Sequence, residues 1–119
     1  MSEIPVGLRG QVVARVTADQ TAAALGSGDV PAFGTPALVA LVEAAAVKAL
    51  AGRLAPDETT VGTWLEVTHL AATPVGAEVR AEAALVAVEG RKLTFTVIAY
   101  DDRGKIGEAE LGHGPRPPS

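Results

Sequence analysis

The chain has few of the side chains that support metal, redox or nucleic-acid chemistry. It has no cysteine, two histidines and four aromatic residues among 119. A zinc site built on cysteine and a disulfide framework are therefore excluded, and we expect neither a metal nor a cofactor. The formal net charge of −4 and the shortage of aromatic rings also argue against a nucleic-acid partner, whether double- or single-stranded.

Long hydrophobic runs are absent as well. No segment reaches the roughly 18 consecutive apolar residues of a membrane span. Residues 1–10 lack the charged and then apolar pattern of a signal peptide. We therefore expect a cytoplasmic protein with no membrane partner.

The apolar content that is present consists largely of small side chains. Alanine and valine contribute 23 and 15 residues. Such side chains bury less apolar area per residue than leucine or phenylalanine, and burial in an oligomer can make up the shortfall. We expect a homodimer or higher oligomer. The length indicates one domain over residues 1–112, followed by a flexible tail at 113–119 that is rich in proline.

The pattern along the chain predicts one strand, a helical segment and then four strands. The long helix is expected at residues 36–51, with Thr35 as N-cap, Pro36 in the first turn and Gly52 as C-cap. Period-2 runs joined by tight turns indicate antiparallel strands and an α+β class. These strands are predicted at residues 11–16, 61–70, 77–88, 93–100 and 105–111.

From Pro36 to Val47 the long helix is apolar on every side except at Glu43. A helix of this kind is buried over most of its circumference. We expect a sheet to wrap it, or a sheet and a partner subunit to enclose it.

Glu43 stands out because no lysine or arginine lies three or four positions away to pair with it. Apolar surroundings raise the pKa of a carboxyl group, which is how general acids and bases near neutral pH are made. In the alternative interpretation, Glu43 lies on the one solvent-exposed face of the helix or pairs with an arginine of the sheet.

His69 and Thr35 are the other two candidates. His69 lies in a predicted strand and could act as acid, base or orienting donor, or be a hydrogen-bonded core or edge residue. Thr35 is explained as a helix cap, but a helix N-terminus can also hold a carbonyl oxygen or an oxyanion. Gly62 indicates a bulge or a close backbone approach, and His113 falls in the predicted tail.

Two motifs carry a family resemblance. Residues 33–36 (FGTP) are followed by Glu43 and then by residues 67–76 (VTHLAATPVG). With the predicted element order, this pattern resembles the hotdog fold, and more specifically the fluoroacetyl-CoA thioesterase-like subfamily, over residues 9–110.

The resemblance implies one long central helix wrapped by a five-stranded antiparallel sheet, in a dimer. It also implies hydrolysis of a short-chain acyl-CoA at the dimer interface. The implied catalytic residues are Thr35, Glu43 and His69, with Glu43 as base or nucleophile and His69 polarising the thioester or protonating the thiolate.

The remaining expectations concern substrate contacts. We assign these to Phe33, Gly34, Gly62 and Arg91. Because Pro36 has no N–H, an oxyanion site must use later amides, such as those of Ala37 or Leu38. In the alternative function, the same fold is a non-catalytic module that binds an acyl thioester or another small ligand, and in a third it serves dimerisation alone.

Overall fold

A computed structural model describes residues 4–115. One antiparallel sheet of five strands, in the order β1-β3-β4-β5-β2, curves around one long helix. A 3-10 turn and a single-turn helix lie between the first strand and that helix. The elements are β1 (Arg9–Arg15), the 3-10 turn (Ala18–Gln20), α1 (Ala22–Leu25), α2 (Thr35–Ala49), β2 (Thr60–His69), β3 (Glu78–Glu89), β4 (Lys92–Asp101) and β5 (Gly104–Pro115).

The central helix begins and ends close to the predicted positions, but with different caps. Gly34 is the N-cap, so Thr35 is the first helical residue and the prediction that Thr35 caps the helix is wrong. The helix ends at Ala49 and its C-cap is Leu50, whose N–H donates to the Val47 carbonyl, so the prediction that Gly52 is the C-cap is wrong. The Thr35 hydroxyl therefore has no capping role.

The concave face of the sheet packs on one side of α2. The apolar residues of that side are buried, and small residues bring the two backbones close together. At Gly10 of β1, a methyl group would overlap backbone atoms of Ala45 and Ala49. The buried helix residues are Leu38, Leu41, Val42, Ala45, Ala46 and Ala49.

The other side of α2 is exposed in the single chain. Pro36, Ala40, Ala44 and Val47 are all exposed, although none of them is charged. We expected most of the circumference of α2 to be buried, but in the single chain only the side that faces the sheet is buried. Edge strand β2 is exposed too, and its Trp64 is 46% exposed.

The last strand is longer than predicted. β5 continues to Pro115, and His113 pairs with Gly62 of β2 and Leu93 of β4. The predicted tail at 113–119 is therefore wrong for residues 113–115, and residues 116–119 lie outside the described part. Prolines and glycines made this segment resemble a tail, but at Gly112 the missing side chain leaves room for the Trp64 indole, which a Cβ there would overlap.

Candidate active site

The Thr35 hydroxyl lies at the start of α2 and contacts the end of β2. Its Oγ1 is 2.9 Å from Nδ1 of His69. The two residues are 34 positions apart in the chain, and the packing of α2 against the sheet brings them together. Two of the three predicted catalytic residues thus form a direct hydrogen bond.

His69 has a second nitrogen available for chemistry. Its Nε2 is buried and has no hydrogen-bond partner among residues 4–115. A buried ring nitrogen is normally paired, so an unpaired one points to a ligand or a proton-transfer role. If Thr35 donates to Nδ1, then Nε2 carries the ring proton and can donate it.

A cavity of about 360 Å³ adjoins this pair. Thr35, His69 and Phe33 line it together with small aliphatic side chains, among them Ala32 and Ala72. Its size lies at the lower end of small-ligand pockets.

The amides at the helix start are partly occupied. The Leu38 N–H donates to the Gly34 carbonyl at 3.0 Å, so Leu38 is not available as an oxyanion donor. Pro36 has no N–H. In the first turn this leaves the amides of Thr35 and Ala37, and the suggestion of Leu38 is corrected.

Glu43 lies away from the Thr35–His69 pair. Eight residues along an α-helix correspond to about 12 Å of axial rise, so the carboxylate lies two turns further along α2. Its Oε1 is 3.1 Å from Nε2 of His113, and its side chain is 35% exposed. A single chain therefore holds the three predicted catalytic residues in two groups.

Gly62 makes room for the Glu43 carboxylate. A Cβ at this position would lie 2.5 Å from Oε2 of Glu43. The pairing of β2 with β5 is also irregular between Gly62 and Trp64. The irregular pairing agrees with the predicted bulge, whereas the group that approaches Gly62 closely is a side chain and not the backbone.

His113 is the residue that the sequence interpretation missed. It is buried, and its Nδ1 lies 3.0 Å from Oγ1 of Thr60 while Nε2 contacts Glu43. Its ring also meets the edge of Phe95, with centroids 5.6 Å apart. The strand extension that places it pairs Gly112 and Gly114 with β2, and no local pattern in the sequence reveals that pairing.

The other predicted contact residues are dispersed. Phe33 is buried beside the cavity, and its N–H donates to the Thr73 carbonyl at 2.8 Å. Gly34 is buried where a Cβ would lie 2.9 Å from the backbone nitrogen of Ala22. Arg91 is exposed in the turn between β3 and β4 and does not line the cavity.

Two further properties concern the described part of the chain. Among residues 4–115, no three histidine or acidic side chains cluster as metal ligands would. No helix in this range combines the length and apolar character needed to cross a bilayer.

A long helix wrapped by one antiparallel sheet is also seen in solved structures. The chain superimposes on a hot-dog-like protein from Thermanaerovibrio acidaminovorans with a TM-score of 0.85 and 24% identity, covering 95% of this chain and 84% of that one. The fold is therefore the hotdog fold, as the resemblance implied.

The family follows from the sequence match. A family model described as "Fluoroacetyl-CoA-specific thioesterase" matches residues 16–113. The chain belongs to this family.

Two relatives illustrate the similarity. A mutant of the fluoroacetyl-CoA-specific thioesterase FlK, solved with fluoroacetate and CoA, is 34% identical with a TM-score of 0.88, covering 95% of each chain. A fluoroacetyl-CoA thioesterase of Streptantibioticus cattleyicolor is 47% identical over 75 residues, which make up 63% of this chain. The matched segment spans 54% of that relative's length.

Proposed function

We propose that the protein is a thioesterase that hydrolyses a short-chain acyl-CoA. The observation that carries this proposal is the Thr35–His69 hydrogen bond beside a cavity, with Nε2 of His69 unpaired within the described range 4–115. Membership of the fluoroacetyl-CoA-specific thioesterase family supports the reaction type. The complex of FlK with fluoroacetate and CoA supports an acyl-CoA substrate.

The site is proposed to be composite, formed by two copies of the chain. Because Glu43 lies about 12 Å along α2 from Thr35, one protomer does not complete the set of three. The exposed apolar side of α2 and edge strand β2 offer a surface on which a second copy can pack. In this homodimer, Thr35 and His69 of one protomer face Glu43 of its partner.

The proposed mechanism uses water as nucleophile. The Glu43 carboxylate takes a proton from water, and the resulting hydroxide attacks the thioester carbonyl carbon. The carbonyl oxygen becomes an oxyanion, held by the free amides at the start of α2 and by their helix dipole. When the C–S bond breaks, Nε2–H of His69 donates a hydrogen bond to the departing CoA thiolate, which takes up the proton that Glu43 removed from water. The products are a carboxylic acid and CoA, and both side chains return to their starting states.

The cavity supports a small acyl group. Its lining includes Ala22, Val30, Ala32 and Leu70, and its volume is about 360 Å³. The proposal places the protein in the cytoplasm, where acyl-CoA thioesters are made and used.

Release of free thiol from a panel of acyl-CoAs of two to eight carbons, including fluoroacetyl-CoA, tests the function. We expect hydrolysis of the short members, and we expect E43Q and H69A each to lower kcat/KM about tenfold to a thousandfold with the fold retained. The exposed substitution T96A on β4 is the matched control. Tight acyl-CoA binding without thiol release would indicate the binding module instead. Wild-type rates in both variants would refute the assigned roles.

A further inference from the structure

His113 connects three elements around one carboxylate. It lies on β5, its Nδ1 contacts Thr60 of β2, and its Nε2 contacts Glu43 of α2. Its side chain is 2% exposed, against 35% for that of Glu43. A buried group of fixed orientation thus holds a half-exposed carboxylate at the surface of the helix.

The hydrogen bonds of His113 suit both of its protonation states. The Thr60 hydroxyl can donate to a neutral ring at Nδ1, or accept from a protonated one. In both states Nε2–H donates to Oε1 of Glu43, and a hydrogen bond to a carboxylate is among the stronger ones. The imidazole therefore holds Oε1 continuously.

The second carboxylate oxygen of Glu43, Oε2, remains available for the reaction. Oε2 lies over Gly62 and accepts no hydrogen bond from residues 4–115. The edge contact with Phe95 on β4 further restricts rotation of the imidazole ring. Among the described residues, Glu43 is the acidic group that His113 contacts.

We propose that His113 is a positioning residue for the thioesterase reaction. It fixes Glu43 through Oε1, so that Oε2 is presented to the attacking water. This inference rests on the proposed function, because it gives Glu43 the role of general base.

Two substitutions separate positioning from packing. In H113Q the side-chain amide can occupy the place of Nε2 and still donate to Glu43. In H113N the amide reaches the place of Nδ1 and keeps the Thr60 contact alone. We expect H113N to lower kcat about tenfold to a hundredfold with KM within about twofold, since misplacing a catalytic group by about 1 Å can reduce the rate 100-fold. H113Q should retain kcat within about fivefold.

Equal kcat values for wild type, H113N and H113Q, or equal losses in both variants, would overturn the proposal. Crystal structures of the two variants show the position of the Glu43 carboxylate directly, and this measurement does not depend on catalysis. We expect the carboxylate to leave Gly62 in H113N and to stay there in H113Q. An unmoved carboxylate in H113N would overturn positioning by His113 even if the wild type hydrolyses thioesters. A wild type that hydrolyses none would instead refute the proposed function.

Discussion

At the scale of single residues, buried polar groups hold the loops that border the cavity. The Thr73 hydroxyl donates to Oδ2 of buried Asp101 at 2.9 Å, and the Arg103 N–H donates to Oδ1 of the same carboxylate. The Thr73 carbonyl also accepts the Phe33 N–H. One buried threonine thus joins the β4–β5 turn to the segment that leads into α2.

Removing the Thr73 hydroxyl should destabilise the fold. In T73V the shape is kept while Oδ2 of Asp101 loses its threonine partner in a buried site. We expect the free energy of unfolding to fall by about 1–3 kcal/mol, measured by urea denaturation. T96V, on the exposed side of β4, is the matched control and should change it by less than about 0.5 kcal/mol. Equal effects would show that the buried hydrogen bond adds no stability.

At the scale of elements, the strands and the long helix follow from patterns visible in the sequence. Alternating apolar residues and tight turns predicted every strand of the sheet, with the largest error at the end of β5. The start of α2 was predicted within one residue, but Gly34 is the cap and the Thr35 hydroxyl contacts His69. That difference matters because a capping hydroxyl is occupied, whereas this one takes part in the candidate site.

The close approach of β1 to α2 gives a prediction at this scale. A methyl group at Gly10 would overlap the backbone of Ala45 and Ala49, so G10A must displace the helix or the strand. We expect a loss of about 1–3 kcal/mol in unfolding free energy, the usual effect of overpacking.

G28A is the matched control for this substitution. A methyl group at Gly28 would meet the Cβ of Ala22 at 3.7 Å, an ordinary van der Waals contact. Thermal and urea unfolding of the two variants gives the comparison. A G10A protein as stable as G28A would contradict the close packing of helix and sheet.

At the scale of the whole molecule, the candidate catalytic groups divide along α2. Thr35 and His69 lie at its N-terminal end, while Glu43, His113 and Gly62 lie about two turns away. The exposed apolar side of the helix runs between these two groups. A second copy packed in the opposite direction would bring the groups of different protomers together, as the proposed composite site requires.

Mixed dimers test this arrangement. If each site takes His69 from one protomer and Glu43 from the other, a dimer of one H69A chain and one E43Q chain contains one intact site. Random mixing of the two variants by joint refolding should therefore recover about a quarter of wild-type activity. Each variant refolded alone is the control. No recovery in a mixture shown to contain heterodimers would mean that each site lies within a single protomer.

The sequence by itself determined the element order, because periodicity and turn residues are local in the chain, and its short motifs carried the family resemblance that implied the hotdog fold. It also singled out Glu43 and His69 as polar side chains that their neighbours do not explain. The tertiary structure alone decided which side chains meet: Thr35 with His69, and Glu43 with His113. These contacts join residues 34 and 70 positions apart, and they depend on strand register and on glycines such as Gly62 and Gly112 that leave space for a neighbouring side chain. Such complementarity is a property of packing, which a one-dimensional pattern does not record.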